Sequence, residues 1–314
     1  MAKQIVTTIA FLFMSLALPA PAQFTNWSAP VKLGPPVNTE FLDSCSTISK
    51  NGLTLYFSSN RQTQNPISQD RDLYVSKRAN VNDPWGAPAP LSSVNMAGYW
   101  DSCPQLSLDE HRLYFTSTRP GGCGGEDFWV SRRQDRKDDF GWQAPEHLAC
   151  EAQGGVNSAG RDLTPVLFEN ESGKVLMYFS KIQPGTSYVG IFQSEMRDDD
   201  TFGPATPVAE LNGPTFGSAY AVVRRDGLEV IFGSNRPGGG GNPNSMDFWT
   251  ATRASTTDAW SNPVFTPELG SPAWMGGHSA FSFDGRELYF NSWAPSGYGT
   301  PGGDIYVAKR EKLK

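Results

Sequence analysis

Several things are scarce in this chain, and each scarcity argues against a class of function. Basic residues are outnumbered, 26 Lys and Arg against 32 Asp and Glu, for a net charge of −6. Nucleic-acid binders neutralise phosphates with clustered Lys and Arg, so this balance argues against nucleic acid as a partner. Histidine occurs three times, at His111, His147 and His278. That is too few for a multi-histidine metal centre, and no CxxC or Cys/His spacing marks a zinc site. After residue 22 no apolar run approaches the ~18–20 residues a helix needs to cross a bilayer. Charged residues of all kinds make up only 18% of the chain, whereas there are 32 Gly, 24 Pro and 9 Trp. That composition suits a turn-rich β protein better than a helical one.

The one long apolar run comes first. Lys3 precedes a nearly continuous apolar stretch from Ile5 to Leu18, and Ala20-Pro21-Ala22 follows in the small-x-small form that signal peptidase cuts. This pattern predicts a signal peptide over residues 1–22, cleaved after Ala22, and an exported protein, secreted or periplasmic. No cysteine follows the cleavage site, so no lipid anchor is indicated. Residues 23–314 are then expected to form a single domain, without a membrane span and monomeric.

What is abundant is repetition. LYFSSNR at Leu55–Arg61 recurs as LYFTSTR at Leu113, VIFGSNR at Val230 and LYFNSWA at Leu288. Aligned on Tyr56, Tyr114, Tyr178, Ile231 and Tyr289, five copies follow one another at steps of 58, 64, 53 and 58 residues. Each runs in the same order: an apolar segment (CSTIS, CPQLS, TPVLF, YAVVR, HSAFS), a turn, the LYF strand, a loop that is usually Gly-rich, and a strand such as DLYVSKR. A W-x-x-P unit then closes the copy, at Trp85, Trp142 and Trp260, with Phe202 in place of Trp in the third. Short β-branched and aromatic runs at this spacing predict about four strands per copy, the period of propeller blades. The fifth copy stops after its third strand, while an extra W-x-x-P at Trp27 precedes the first. The N-terminal segment is therefore expected to supply the missing outer strand of the last blade, closing a five-bladed, all-β propeller.

The composite pattern, inner strand, (D/N)G, LYFxSxRPGGxGGxDxWVxxR and WxxPxxLGxxVN, resembles the WD-like propeller repeats of periplasmic TolB and many exported bacterial proteins. The resemblance spans nearly all of residues 23–314. It implies the fold and leaves activity open, because propellers host binding platforms, hydrolases, lyases and oxidoreductases alike.

Residues shared by the copies are read as structural. Arg61, Arg119 and Arg236 end the second strand, and Asp72, Asp127 and Asp247 begin the third, so an ion pair within each blade is expected. Gly121–Gly125, Gly238–Gly241 and Gly297–Gly303 run from strand to strand and are read as hairpin turns, since phosphate loops lead into a helix. The Trp of W-x-x-P is expected to pack between blades. The first loop, Gln62–Asp72, lacks glycine and is expected to differ in shape, as binding loops do.

Function should then reside where the copies differ. The inner strands start with Asp43, Asp101, Asp162, Ser218 and Gly276 in turn, so three carboxylates are expected around one tunnel mouth, with Trp100, Arg161, Tyr220 and His278 near in register. Five-bladed glycosidases also place acids on their inner strands, which makes Asp43, Asp101, Asp162 and His278 candidate catalytic residues, with Trp100, Arg161 and Tyr220 binding. Those glycosidases commonly include a Glu, and here all three acids are Asp. The same carboxylates are also candidate Ca²⁺ ligands, or simply braces within their own blades. Arg161, Tyr220 and His278 would suit a substrate bearing a carboxylate. His111 is expected in an exposed turn and His147 in a connector. Four cysteines in an exported chain suggest disulfides, and the pairing favoured is Cys45–Cys103 with Cys123–Cys150. Two functions stay open: a binding propeller presenting its mouth to a saccharide, peptide or envelope protein, or an exported carbohydrate-active hydrolase or lyase.

Overall fold

In the computed structural model the described residues are 23–64, 70–240, 246–270, 275–293 and 303–313. The candidate signal peptide lies outside them, as do parts of the first, fourth and fifth hairpin loops. Strand β1 (Val31–Lys32) comes first and belongs to the last blade. Blade one holds β2 (Asp43–Ile48), β3 (Thr54–Ser59), β4 (Asp72–Lys77) and β5 (Ala89–Pro90), and blade two β6 (Asp101–Leu106), β7 (Arg112–Ser117), β8 (Asp127–Arg132) and β9 (Glu146–His147). Blade three holds β10 (Leu163–Glu169), β11 (Val175–Ile182), β12 (Val189–Glu195) and β13 (Thr206–Pro207). Blade four holds β14 (Ser218–Val223), β15 (Glu229–Ser234), β16 (Asp247–Thr252) and β17 (Val264–Phe265). Blade five holds β18 (Met275–Phe281), β19 (Glu287–Trp293) and β20 (Asp304–Lys309), with β1 added antiparallel on the outside of β20. Each blade is one four-stranded antiparallel sheet, and the innermost strands β2, β6, β10, β14 and β18 neighbour one another around the ring. No helix among the described residues is long and apolar enough to cross a membrane.

The recurring aromatics join blades. Trp142 of blade two meets Tyr56 of blade one edge-on with centroids 6.3 Å apart, and Phe202 of blade three meets Tyr114 of blade two at 5.8 Å. Trp260 Nε1 of blade four donates to the Tyr178 hydroxyl of blade three at 3.2 Å. Trp85 shares a buried cluster with Tyr289, and Trp27 shares one with Ile231. An arginine after the third strand covers each tryptophan: Arg78 on Trp85 at 4.3 Å, Arg133 on Trp142 at 4.4 Å, Arg253 on Trp260 at 4.1 Å and Arg310 on Trp27 at 4.1 Å. All four tryptophans are under 9% exposed, so they serve as packing and offer no platform for a sugar ring.

Candidate functional site

Every innermost strand slips register at the same place, between Ser44 and Thr47, Ser102 and Gln105, Leu163 and Val166, Ala219 and Val222, and Gly276 and Ser279. In four of these bulges a non-glycine residue adopts positive φ: Cys45 at 49°, Cys103 at 53°, Thr164 at 59° and Tyr220 at 60°. Such residues cost about 1–3 kcal/mol each and persist only where the surroundings hold them. For Cys45 and Cys103 the holding contact is a disulfide between adjacent inner strands, with Cα atoms 4.5 Å apart.

Asp43, Asp101 and Asp162 sit at matching positions two residues before the bulge, and all three are fully buried. Asp43 accepts from the Thr39 backbone N–H and hydroxyl, each at 2.7 Å, and from Arg61 at 2.6 Å. Asp101 accepts from the Met96 N–H at 2.7 Å, the Ser117 hydroxyl at 2.6 Å and Arg119 at 2.6 Å. Asp162 accepts from the Ser158 N–H at 2.6 Å and hydroxyl at 2.9 Å, and its Oδ1 has no partner. Each carboxylate thus braces the connector that leads into its own strand. The three do not gather as a ligand set for Ca²⁺: the one cluster of three or more ligating side chains among the described residues is Cys123, His147 and Cys150.

These contacts correct the expected ion pairs. Arg61, Arg119 and Arg236 do not pair with Asp72, Asp127 and Asp247. A serine at the end of the second strand receives each Nε (Ser59 at 3.0 Å, Ser117 at 2.9 Å, Ser234 at 3.2 Å) and turns the guanidinium back over the inner strand. Arg236 finds Ser218 Oγ at 3.3 Å where its counterparts find Asp. The third-strand aspartates are held by their own hairpins. Asp127 accepts from the Cys123 and Gly124 N–H groups at 3.0 and 3.2 Å, and Asp247 from the Gly240 N–H at 2.7 Å. A Cβ at Gly122 would lie 2.0 Å from Asp127 Oδ2, which is why this turn needs glycine.

The other predicted residues separate. His278 is 1% exposed, neither ring nitrogen has a partner, and burial pushes its pKa down to about 4, so it is a neutral group inside the wall of the ring. His111 is half-buried, its Nδ1 3.0 Å from the Arg133 carbonyl oxygen, and His147 lies in β9. Trp100, Arg161 and Tyr220 do come together, with two residues that sequence reasoning missed, Arg71 and Glu126. Parallel bridges pair Arg71 with Trp100 between blades one and two, and Glu126 with Arg161 between blades two and three. Glu126 receives Arg161 through two bonds of 2.6 Å. Arg71 stacks over Trp100 at 4.0 Å, its Nε is buried without a partner, and no carboxylate among the described residues pairs with it. Burial lowers its pKa to about 10, partly offset by attraction to Tyr220 and Glu126. Burial raises the Tyr220 pKa, and attraction to Arg161 and Arg71 draws it partly back. A half-buried cation that pairs with no carboxylate among the described residues, on an indole and beside a phenol, has unmet demand for a hydrogen-bond acceptor or an anion. At the other end of the tunnel, Arg225 stacks on Phe283 but is exposed to water and lacks that demand.

No protein-family model matches the chain, and no curated protein matches it in sequence. Solved structures do match it. The α-L-arabinofuranosidase PaAbf62A from Podospora anserina, in complex with cellotriose, aligns with a TM-score of 0.60 at 13% identity, over 92% of this chain and 97% of that one. The catalytic domain of the GH62 α-L-arabinofuranosidase of Coprinopsis cinerea aligns at 0.62 and 12% identity, over 92% and 98%. An endo-arabinase from Bacteroides thetaiotaomicron aligns at 0.55 and 17% identity, over 92% and 99%. At these identities the likeness is one of fold.

Proposed function

We propose that the chain is an exported carbohydrate-binding propeller whose tunnel mouth takes a saccharide bearing a carboxylate. Arg71 carries this reading: its buried Nε has no hydrogen-bond partner, its guanidinium forms an ion pair with no carboxylate among the described residues, and its stacking on Trp100 orients it, while Tyr220 and Arg161 supply further donors. The carbohydrate-active neighbours support a sugar as the class of ligand. Calorimetry with uronate-containing oligosaccharides and their carboxyl-reduced counterparts tests it. The acidic forms are expected to bind more tightly, and Arg71→Gln to weaken them about 10–100-fold, as for a charge-assisted bond of about 1.5–3 kcal/mol. Equal affinity for both forms, or for both proteins, defeats the proposal.

A second reading, hydrolysis or elimination on the same sugar, draws on the neighbours' activities and on Asp162. That carboxyl has a free Oδ1, and burial raises its pKa to about 6, so it can hold a proton in mildly acidic medium. Its burial keeps it from direct contact with a ligand unless the mouth rearranges. Product release from the same oligosaccharides that disappears in Asp162→Asn would establish it. Activity unchanged in Asp43→Asn, Asp101→Asn and Asp162→Asn alike would remove these residues from any chemistry.

A further inference from the structure

The hairpin loop of blade two folds back against the outer strand of the same blade. Cys123 in the loop is disulfide-bonded to Cys150, with Cα atoms 5.8 Å apart. His147, in β9, directs Nε2 at the pair, 3.7 Å from Cys123 Sγ, and Asp127 Oδ1 lies 3.8 Å from that nitrogen. Asp127 is 2% exposed; its Oδ2 is held by the loop N–H groups, while its Oδ1 has no hydrogen-bond partner. The nearest donor to His147 Nε2 is Asn157 Nδ2 at 3.0 Å, which also reaches the carbonyl oxygens of Phe128 at 3.1 Å and Leu148 at 2.7 Å. Two amide hydrogens cannot serve three acceptors fully, so the imidazole lone pair remains available to a ligand.

The geometry points to a redox-gated metal site: with the Cys123–Cys150 bond reduced, two thiolates, His147 Nε2 and Asp127 Oδ1 bind a borderline-soft divalent cation such as Zn²⁺ tetrahedrally. Zn–S and Zn–N bonds of about 2.3 and 2.0 Å imply ligand-to-ligand separations of roughly 3.3–3.8 Å, and the distances from His147 Nε2 to Cys123 Sγ and to Asp127 Oδ1, 3.7 and 3.8 Å, already fall there. Opening the disulfide requires only that the sulfurs move apart by side-chain rotation. The chemistry balances. A dithiol reductant delivers two electrons and two protons to the S–S bond and leaves as its own disulfide, and the cation then displaces both thiol protons to solvent. Asp127 adjoins Glu126, the partner of Arg161, so the site lies one residue from the proposed saccharide site.

Co²⁺ reports such a site by its thiolate-to-metal absorption. The mature protein carrying Cys45→Ser and Cys103→Ser is titrated with Co²⁺ before and after reduction, with free thiols counted. Two thiols and one tetrahedral Co²⁺ per chain are expected after reduction and none before, and His147→Ala should weaken binding by roughly 100-fold or more. Reduced, folded protein that takes up no Co²⁺, oxidised protein that takes up as much, or binding indifferent to His147→Ala overturns the inference. If the double-serine background does not fold, the same titration of the otherwise intact chain against its Cys123→Ser variant decides. If reduction itself unfolds the chain, recovery of the native circular dichroism on adding Zn²⁺ supports the site, and failure to recover overturns it.

Discussion

In blades one and two a buried aspartate faces an arginine, partly buried at Arg61 and buried at Arg119, whereas in blade three the arginine position holds Gln183 and Asp162 has no guanidinium. Burial is then the largest influence, and it raises the Asp162 pKa from 3.8 to about 6. Because the folded-state value lies above the unfolded one, the native state holds the extra proton between about pH 4 and pH 6. The contribution is therefore fully present at low pH and is lost as the pH rises through about 6. A shift of this size corresponds to at most about 3 kcal/mol. Asp162→Asn is expected to gain stability relative to the parent as the pH goes from 4 to 7, read from urea unfolding midpoints. A difference that does not change with pH would refute the assignment. The sequence displayed all three aspartates but not this distinction, which depends on whether a guanidinium from a strand some 18 residues away turns inward.

At the scale of the strand and its flanking turns, the repeated aromatics explain why LYF and W-x-x-P recur at all. Tyr56 is fully buried, with its hydroxyl on Asp139 at 2.6 Å and on Arg133 at 3.1 Å, and Trp142 closes over the same group from the next blade. Trp142→Ala removes a large side chain from this seam and leaves Arg133 without its aromatic cover, so a loss of about 3–5 kcal/mol is expected from chemical denaturation. A loss below about 1 kcal/mol would mean that the seam repacks and is not what joins the blades. The motif's recurrence was legible in the chain. Its partner was not, because each tryptophan meets the tyrosine of the preceding blade, or for Trp27 the equivalent Ile231. The same limit applied to Arg61, which by strand order alone faces Asp72, yet Ser59 redirects it to Asp43.

For the whole molecule, the decisive feature is the closing of the ring. β1 covers the outer edge of β20, and Arg310 lies 4.1 Å over both the Phe24 and Trp27 rings while reaching Glu229 of blade four at 2.7 and 2.8 Å. Arg224 joins the same carboxylate at 2.7 Å, so N-terminus, last strand and blade four share one buried charge cluster. Removing residues 23–32 from the mature chain uncovers the β20 edge and takes both aromatic rings from Arg310. The truncated protein is expected to self-associate in sedimentation and to lose a single cooperative unfolding transition. A monomer with the parental midpoint would show that closure adds nothing to stability. Blade number, strand order and the closing strand were determined by the sequence alone, because hydrophobic period and turn chemistry are local and the copies repeat them along the chain. Which side chains gather around Trp100, and which form the cysteine-histidine corner, only the tertiary structure decided. Arg71, Arg161 and Tyr220 come from different blades, and Cys123, His147 and Cys150 meet only when a hairpin folds back on its own outer strand. Their distances are set by the curvature of the blades and the closure of the ring, which no local pattern encodes.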